Sequence, residues 1–463
     1  MKIPIVSGIY TDQNANFRVQ YPINIYPVAV NSGISEAYLK PAHGIRTLVD
    51  SVAIDQGGIV RNGVMYRLIG GRLYIVSHGN LSLLADTGCA SGYARFDYSF
   101  SKLAIAVEGK LFYWDTVLTQ VTDADLGLVK DMLWVDGYFM TTDGENLVVT
   151  ELNDPTSIDP LKYGSSEVDP DPVQCLLKLR NEVYALNRYT IEVFQNVGTE
   201  FFPFQRVPGA LLQKGTIGTR TAAIFMDSVA FVGSGRSENI GVYMGNGGNA
   251  ARISTREIDL IIGEYTELQL TGILVESIIL DGDSLLYIHL PNITLVYNGT
   301  TSLALKTQVW YLLSSSNTGD TRYNGRNLLF NDGEWVCGHP TANHLGVLDS
   351  KLNTHYGNNV CWIFSTPILY NENKGVIIHA LELLANTGAT KLGITPVIFT
   401  SYSLDGIKWS QESMVITGKF GEANKRLCWR RCGKMRNRRI QRFRGYGITT
   451  IATLDATLEP LYV

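Results

Sequence analysis

A short antiparallel strand pair recurs along this chain at a spacing that few architectures accommodate. The clearest copy is residues 64–69, a Gly70-Gly71 turn and residues 73–76, where two glycines supply the positive φ angles of a two-residue hairpin. The pattern returns at 102–107 with 111–114, 137–140 with 147–149, 182–185 with 190–194, 228–232 with 242–244, and 284–288 with 294–297. A weaker seventh copy pairs 334–337 with 345–348. First strands starting at 64, 102, 137, 182, 228, 284 and 334 give steps of 38, 35, 45, 46, 56 and 50. These bracket the ~40–50 residues of a four-stranded propeller blade. One hairpin cannot bury its apolar face alone, whereas four-stranded sheets stacked around an axis can, leaving only short edges. The reading is therefore all-β, with a propeller of six to seven blades over residues 45–355; a series of β-sandwiches is the competing arrangement.

Composition supports strands and turns. Of the 463 residues, 45% are hydrophobic and only 18% charged, with 45 Gly and 24 Tyr; such a mixture excludes a disordered chain, and no heptad or Gly-every-third period exists. No run of 18 apolar residues offers a membrane-spanning helix. The opening Met1-Lys2-Ile3-Pro4-Ile5-Val6-Ser7-Gly8 lacks the apolar core of a signal peptide. The expectation is a reducing cytosol, with Cys89, Cys175, Cys337, Cys361, Cys428 and Cys432 as thiols rather than a disulfide frame.

Three regions depart from the hairpin pattern. Residues 153–173 are rich in Pro and Asp and predict a long surface excursion. Residues 255–262, with Ser254 or Thr255 as N-cap, predict a short helix between blades. From 356 to 463 the candidate strands 376–384, 396–403 and 447–454 suggest a separate C-terminal antiparallel β-sandwich. Residues 1–44, punctuated by Pro22 and Pro27, are expected to form an extended N-terminal arm.

One charge run stands out. Residues 425–444 hold ten basic side chains and no acid: Lys425, Arg426, Arg430, Arg431, Lys434, Arg436, Arg438, Arg439, Arg442 and Arg444. The rest of the chain then has 29 basic against 43 acidic residues, a balance of −14. Closely spaced guanidinium groups attract phosphates, so a DNA-facing run is one reading; ion pairing with a neighbouring subunit and a plainly solvated face are the others, and spacing does not separate them.

The remaining chemistry-bearing residues have simpler readings. Cys337, His339, His344 and His355, and separately Cys428 with Cys432, lack the paired knuckles of a structural zinc site, so no metal is expected. Asp281 with Asp283, and Glu167, Asp169 and Asp171, read as turns before they read as the opposed carboxylates of a glycosidase. Gly233-Ser234-Gly235 and Gly245-Asn246-Gly247-Gly248 lack the Lys-Ser/Thr and helix of a phosphate cradle. Ser403-Leu404-Asp405-Gly406-Ile407-Lys408-Trp409 resembles an Asp-box turn, a folding device in which Trp covers the turn. No catalytic constellation and no cofactor motif is left.

Several blocks resemble a known family. Leu211-Leu212-Gln213-Lys214-Gly215-Thr216-Ile217-Gly218-Thr219, Ile258-Asp259-Leu260-Ile261-Ile262, and Leu285-Leu286-Tyr287-Ile288-His289-Leu290-Pro291 with Leu295-Val296-Tyr297 are similar to segments of the packaged-DNA stabilisation proteins of short-tailed phages. So are Asn24-Ile25-Tyr26-Pro27-Val28 and the run from Leu427 to Arg436, in the same order. The resemblance implies a β-propeller tail hub or nozzle, made in the host bacterial cytoplasm and built into the virion tail as a homohexameric ring below the portal and its adaptor. It further implies a ring that extends the DNA channel, helps retain packaged double-stranded DNA, and docks the tail needle and tailspikes or fibres, with no enzymatic activity. The alternative is a glycan-binding or polysaccharide-degrading tail module.

Overall fold

The structure is a computed structural model that describes residues 2–3, 5, 21–30, 35–152, 154–371, 374–390 and 392–460. Seven sheets, antiparallel but for one pairing, follow one another along the chain, five of four strands, one of five and one of six. The last takes in Gly44–Asp50 from before the first sheet and the short strands Thr354–His355 and Asn358–Asn359 from after it, Thr354–His355 lying parallel to Gly44–Asp50. The recurring hairpin is the middle of each sheet: Val64–Ile69 with Arg72–Ser77 in the first, Ser284's strand Asp283–His289 with Thr294–Asn298 in the sixth, Glu334–Gly338 with His344–Asp349 in the seventh. These strands are packed on both faces, which is why they read as continuous apolar runs. In the first blade Gly70 and Gly71 take φ of 56° and 80°, the conformation a two-residue turn demands.

Each sheet has an inner strand that touches its counterparts in the sheets on either side: Asp55–Arg61, Arg95–Tyr98, Asp131–Val135, Val173–Leu179, Ala222–Phe225, Leu274–Leu280 and Arg326–Asn331. Their cyclic contacts define the axis of a seven-bladed β-propeller. Buried clusters such as Leu177, Leu186 and Val193 with Val229 and Phe231 fill the spaces between blades.

The ring closes through strand exchange. The outer part of the seventh blade is Gly44–Asp50, which lies N-terminal to the first blade and pairs antiparallel with His344–Asp349, His344 opposite Asp50 and Asp349 opposite Gly44. Ile45, fully buried, locks this strand into a cluster with Tyr323, Cys337 and Leu348. A polar staple reinforces the same seam. Arg67 of the first blade, itself buried, meets Asp55 Oδ2 at 2.9 Å and donates to the carbonyls of Asn327 (3.0 Å) and Val336 (2.9 Å) in the seventh.

The C-terminal region is a β-sandwich. One sheet runs Ile25–Ala29, Ala37–Pro41, Ile451–Pro460, Val376–Ala385, Leu427–Arg430, with Lys2–Ile3 and Lys434–Met435 paired at its margins. The other runs Trp362–Ser365, Arg438–Gly445, Val397–Ser403, Ser413–Ile416. Between them Phe364 and Phe443 stack at 5.1 Å and Trp429 meets Phe443 edge-on at 5.5 Å.

Several expectations change. The described part of residues 1–44 is no free arm: Ile25–Ala29 and Ala37–Pro41 form a ladder in the sandwich, and the proline at position 27 is tolerated because Ile25–Ala29 is an edge strand; residues 6–20 and 31–34 of that stretch lie outside the described residues. The last sandwich strand is Ile451–Pro460 rather than 447–454. The excursion after 153, itself outside the described residues, contributes Tyr163–Ser165 as the outer strand of the third blade. The helix Arg256–Ile262 forms with Thr255 as its cap, and two more helices, Glu267–Thr271 and Gly299–Leu305, accompany it.

Propeller and sandwich are stitched together by Asn24. Its side chain, buried, donates to the carbonyls of Ser314 (2.9 Å) and Cys361 (2.8 Å) and accepts from the Ser314 N–H (2.9 Å).

Replacing Ile45 by Ala removes a fully buried side chain from the closing strand and is expected to cost about 2–5 kcal/mol. Urea denaturation followed by circular dichroism checks this; a loss under 1 kcal/mol would mean that the closing strand is not what holds the ring.

Candidate functional site

The inner strands diverge as they fan around the axis, so their backbone N–H groups face the next blade without a ladder partner. Carboxylates fill that role. Asp97 of the second blade accepts from the Trp134 N–H of the third (2.7 Å), and Asp131 of the third from the Leu176 N–H of the fourth (2.8 Å). Glu276 of the sixth accepts from Asn327 (3.0 Å) and Leu328 (2.6 Å) of the seventh. Asp131 is almost wholly buried, and burial pushes its carboxyl up although Arg95, 3.4 Å away, pulls it back. His289 meets Glu276 at 2.9 Å, and this bond with the two N–H groups outweighs burial and holds the carboxyl below its ordinary value. These acids were not singled out from the sequence. Their signal is an acid within the strand that precedes the apolar hairpin, as in Arg95–Tyr98, Asp131–Val135 and Leu274–Leu280.

The basic run crosses from one sandwich sheet to the other and does not form one surface. Arg426 makes a two-pronged pair with Glu382 at 2.6 and 2.7 Å. In Arg438–Gly445, Arg439 is 1% exposed; it donates to Gln441 Oε1 (3.0 Å) and the Cys432 carbonyl (2.5 Å), with its guanidinium 3.9 Å from the Tyr402 ring. Arg442 lies over the Trp409 ring at 4.0 Å. Arg444 grips Glu412 at 3.1 and 2.6 Å and reaches the Tyr446 hydroxyl at 2.8 Å. Arg438 is half-buried in the same strand, whereas Arg430, Arg431, Lys434 and Arg436 are exposed on and around the short strands Leu427–Arg430 and Lys434–Met435. The structure thus separates exposed cations, of which Lys425 and Arg426 pair with Glu422 and Glu382, from the inner set Arg438, Arg439, Arg442 and Arg444, in which Arg439, Arg442 and Arg444 lie against aromatic rings, a carboxylate or a carbonyl.

The other singled-out residues are each engaged locally. Cys337 Sγ faces the Tyr356 hydroxyl at 3.6 Å, His339 Nδ1 accepts from the Thr341 and Ala342 N–H groups at 3.1 and 2.8 Å, and His344 pairs with Asp50 at 2.9 Å. His355 Nδ1 bonds Ser315 Oγ at 2.7 Å. The thiols of Cys428 and Cys432 both point at the Trp429 carbonyl. Asp281 pairs with Lys40 and His43, Asp283 takes the Asn298 amide at 3.2 Å, Asp169 pairs with Arg236 at 3.4 Å, and Asp171 accepts from the Tyr189 and Thr190 N–H groups. The two aspartate pairs belong to turns of different blades. Asp405 accepts from Ile407 (2.9 Å) and Lys408 (2.8 Å), the turn its sequence predicts. The two glycine clusters lie at the ends of Ser228–Ser234 and Gly241–Asn246, a hairpin of the fifth blade.

Two outcomes follow. Arg439→Ala leaves Gln441 and the Cys432 carbonyl without their donor and costs about 1–3 kcal/mol, whereas Arg436→Ala on the exposed face stays within about 0.5 kcal/mol; parallel urea titrations compare them. Burial holds the His355 imidazole down at about 4, below its unfolded value near 6.5, so the unfolded chain takes up the proton first. His355 therefore contributes its full stability above pH 6.5 and loses about 1.4 kcal/mol per unit as pH falls towards 4; thermal melts of wild type and His355→Gln from pH 7 to 4 should diverge in slope over that window.

A family model described as the beta-propeller of bacteriophage P22 Gp10 matches residues 1–353, and one described as the beta-sandwich of bacteriophage P22 Gp10 matches residues 361–459. The chain is 26% identical over 483 residues to the tail hub protein gp10 of Salmonella phage P22, covering 99% of this chain and 98% of that protein. Among solved structures, the N-terminal domain of Nup159 aligns with a TM-score of 0.42 at 10% identity, covering 69% of this chain and 98% of that one. BamB from Moraxella catarrhalis aligns at 0.39 and 12% identity, covering 66% and 97%. Neither of these two likenesses adds to what the sheets themselves show.

Proposed function

The chain belongs to the bacteriophage P22 Gp10 family, and from that membership we infer that it is a structural tail hub protein of the virion tail. One observation carries the reading: both domain models match in tandem, and the similarity to a tail hub runs through 99% of the chain in one order. The work is assembly rather than catalysis. Six copies form a ring below the portal and its adaptor, extend the DNA channel, help retain the packaged genome, and carry docking surfaces for tail needle and tailspikes. Large apolar side chains left in solvent support the assembly reading, notably Phe100, Leu392 and Leu268 at 94%, 86% and 83% exposure, since such groups are usual at interfaces. The outward cations Arg430, Arg431, Lys434 and Arg436 face the DNA, a neighbouring subunit or plain solvent. Synthesis takes place in the host bacterial cytoplasm.

Mixing the purified chain with portal–adaptor complexes and measuring the sedimenting species tests this reading. A ring that joins the complex is the expected outcome; a chain that stays monomeric and never joins overturns it. Changing the four outward cations to Gln in the same experiment separates their two roles. If they face DNA, rings form normally but bind duplex with a shallower salt dependence; if they face a neighbour, ring formation itself weakens.

A further inference from the structure

Three arginines converge on one tyrosine at one end of the propeller axis. Tyr93 precedes the inner strand of the second blade, Arg220 that of the fifth, and Arg326 starts that of the seventh, with Arg322 in the loop before it. Strands that start from the axis in the same sense place these residues at the same end. The Arg220 guanidinium lies 3.0 Å from the centre of the Tyr93 ring and that of Arg326 4.8 Å from it, while Arg326 also donates to the Tyr93 hydroxyl. Arg326 is only 6% exposed; apart from Tyr93 it reaches the Pro340 carbonyl at 3.0 Å. Among the described residues, the Nε groups of Arg322 and Arg326 are buried without a hydrogen-bond partner, and none of the three arginines lies within ion-pair distance of a carboxylate.

Such a cluster is costly by itself. Desolvated like charges repel, and a fold normally places an acid among them. The carboxylate that acts on Arg220 is Glu276, whose oxygens are already taken by His289 and the N–H groups of Asn327 and Leu328. The strain shows in the side chains. Burial, with Arg326 adding to it, brings Arg220 down to about 10, and burial followed by Arg326 lowers Arg322. Burial would raise the Tyr93 phenol, yet Arg326, Arg220 and Arg322 together bring it below its ordinary value. Beside the cluster lies a cavity of about 530 Å³, lined by Tyr93, Arg326, Gln56, Ser91, Pro340 and Asn343. Tyr93 and Arg220 share the wall of a second, of about 210 Å³.

The geometry points to a site for a phosphate group, free or as a phosphomonoester, held by Arg220, Arg322 and Arg326 around Tyr93. Guanidinium groups present paired N–H donors that match the oxygens of a tetrahedral oxyanion. A dianion would supply the charge that the fold omits and would tie the second, fifth and seventh blades together at the axis.

Calorimetric titration of the full chain with inorganic phosphate, and separately with adenosine 5′-monophosphate, tests the proposal, alongside thermal melts in phosphate and in chloride of equal ionic strength. The expected result is a saturable heat and a melting temperature that rises with phosphate to a plateau. A matching response to the nucleotide assigns the site to phosphomonoesters, and a response to phosphate alone assigns it to the free anion. Arg322→Gln should abolish the saturable response while its melt in chloride stays level or rises, because one like charge is gone. No saturable response to either ligand, or an Arg322→Gln melt lowered equally in both salts, overturns the site and makes the cluster a packing feature.

Discussion

A ring of blades is only as stable as the seam that joins its last blade to its first. Here that seam is a single antiparallel strand pairing, Gly44–Asp50 on His344–Asp349. Without it the seventh blade would present an open edge, and the apolar faces of blades one and seven would lose their cover. The Arg67–Asp55 staple lies across the same junction, with Asn327 donating its amide to Asp55 at 2.8 Å. A buried ion pair of this kind contributes little net attraction, but removing one partner is heavily penalised, so it specifies which blades meet.

Three other inter-blade junctions use a simpler device. Asp97, Asp131 and Glu276 each accept backbone N–H groups of the following blade. Orphaned amides of diverging strands are thereby satisfied without continuous β-pairing, which would flatten the ring. The axis is thus lined by fixed polar groups, and the apolar clusters lie between the sheets further out. The sandwich is fastened to this body at Asn24, where one amide serves both the sixth blade and the strand Trp362–Ser365.

The middle strands of each blade were legible because they are covered on both faces and therefore hydrophobic throughout. The inner and outer strands were not. Asp55–Arg61 contains Asp55, Gln56, Gly57 and Gly58, and Leu118–Gln120 is only three residues long, so neither carries a strong periodic signal. The N-terminal strands look like an arm in sequence because Pro27 suggests a chain that does not pair; an edge strand needs only one side, which leaves room for a proline. The basic run was visible as charge but not as geometry. Its alternation along Arg438–Gly445 places Arg439 inside while Arg442 and Arg444 rest on aromatic rings, and no count of charges distinguishes a guanidinium stacked on tryptophan from one in water.

The closing strand also sets a schedule for biosynthesis. Gly44–Asp50 leaves the ribosome early, yet its partner His344–Asp349 follows almost three hundred residues later. At roughly 5–20 residues per second the nascent strand waits about 15–60 s with its hydrogen-bonding edge unpaired. During that interval the first six blades can fold in turn, each onto the one before, while the circle stays open. Translation past the seventh blade is the event that converts a curved stack into a torus, and a ribosome that stalls before it releases a chain with a sticky end.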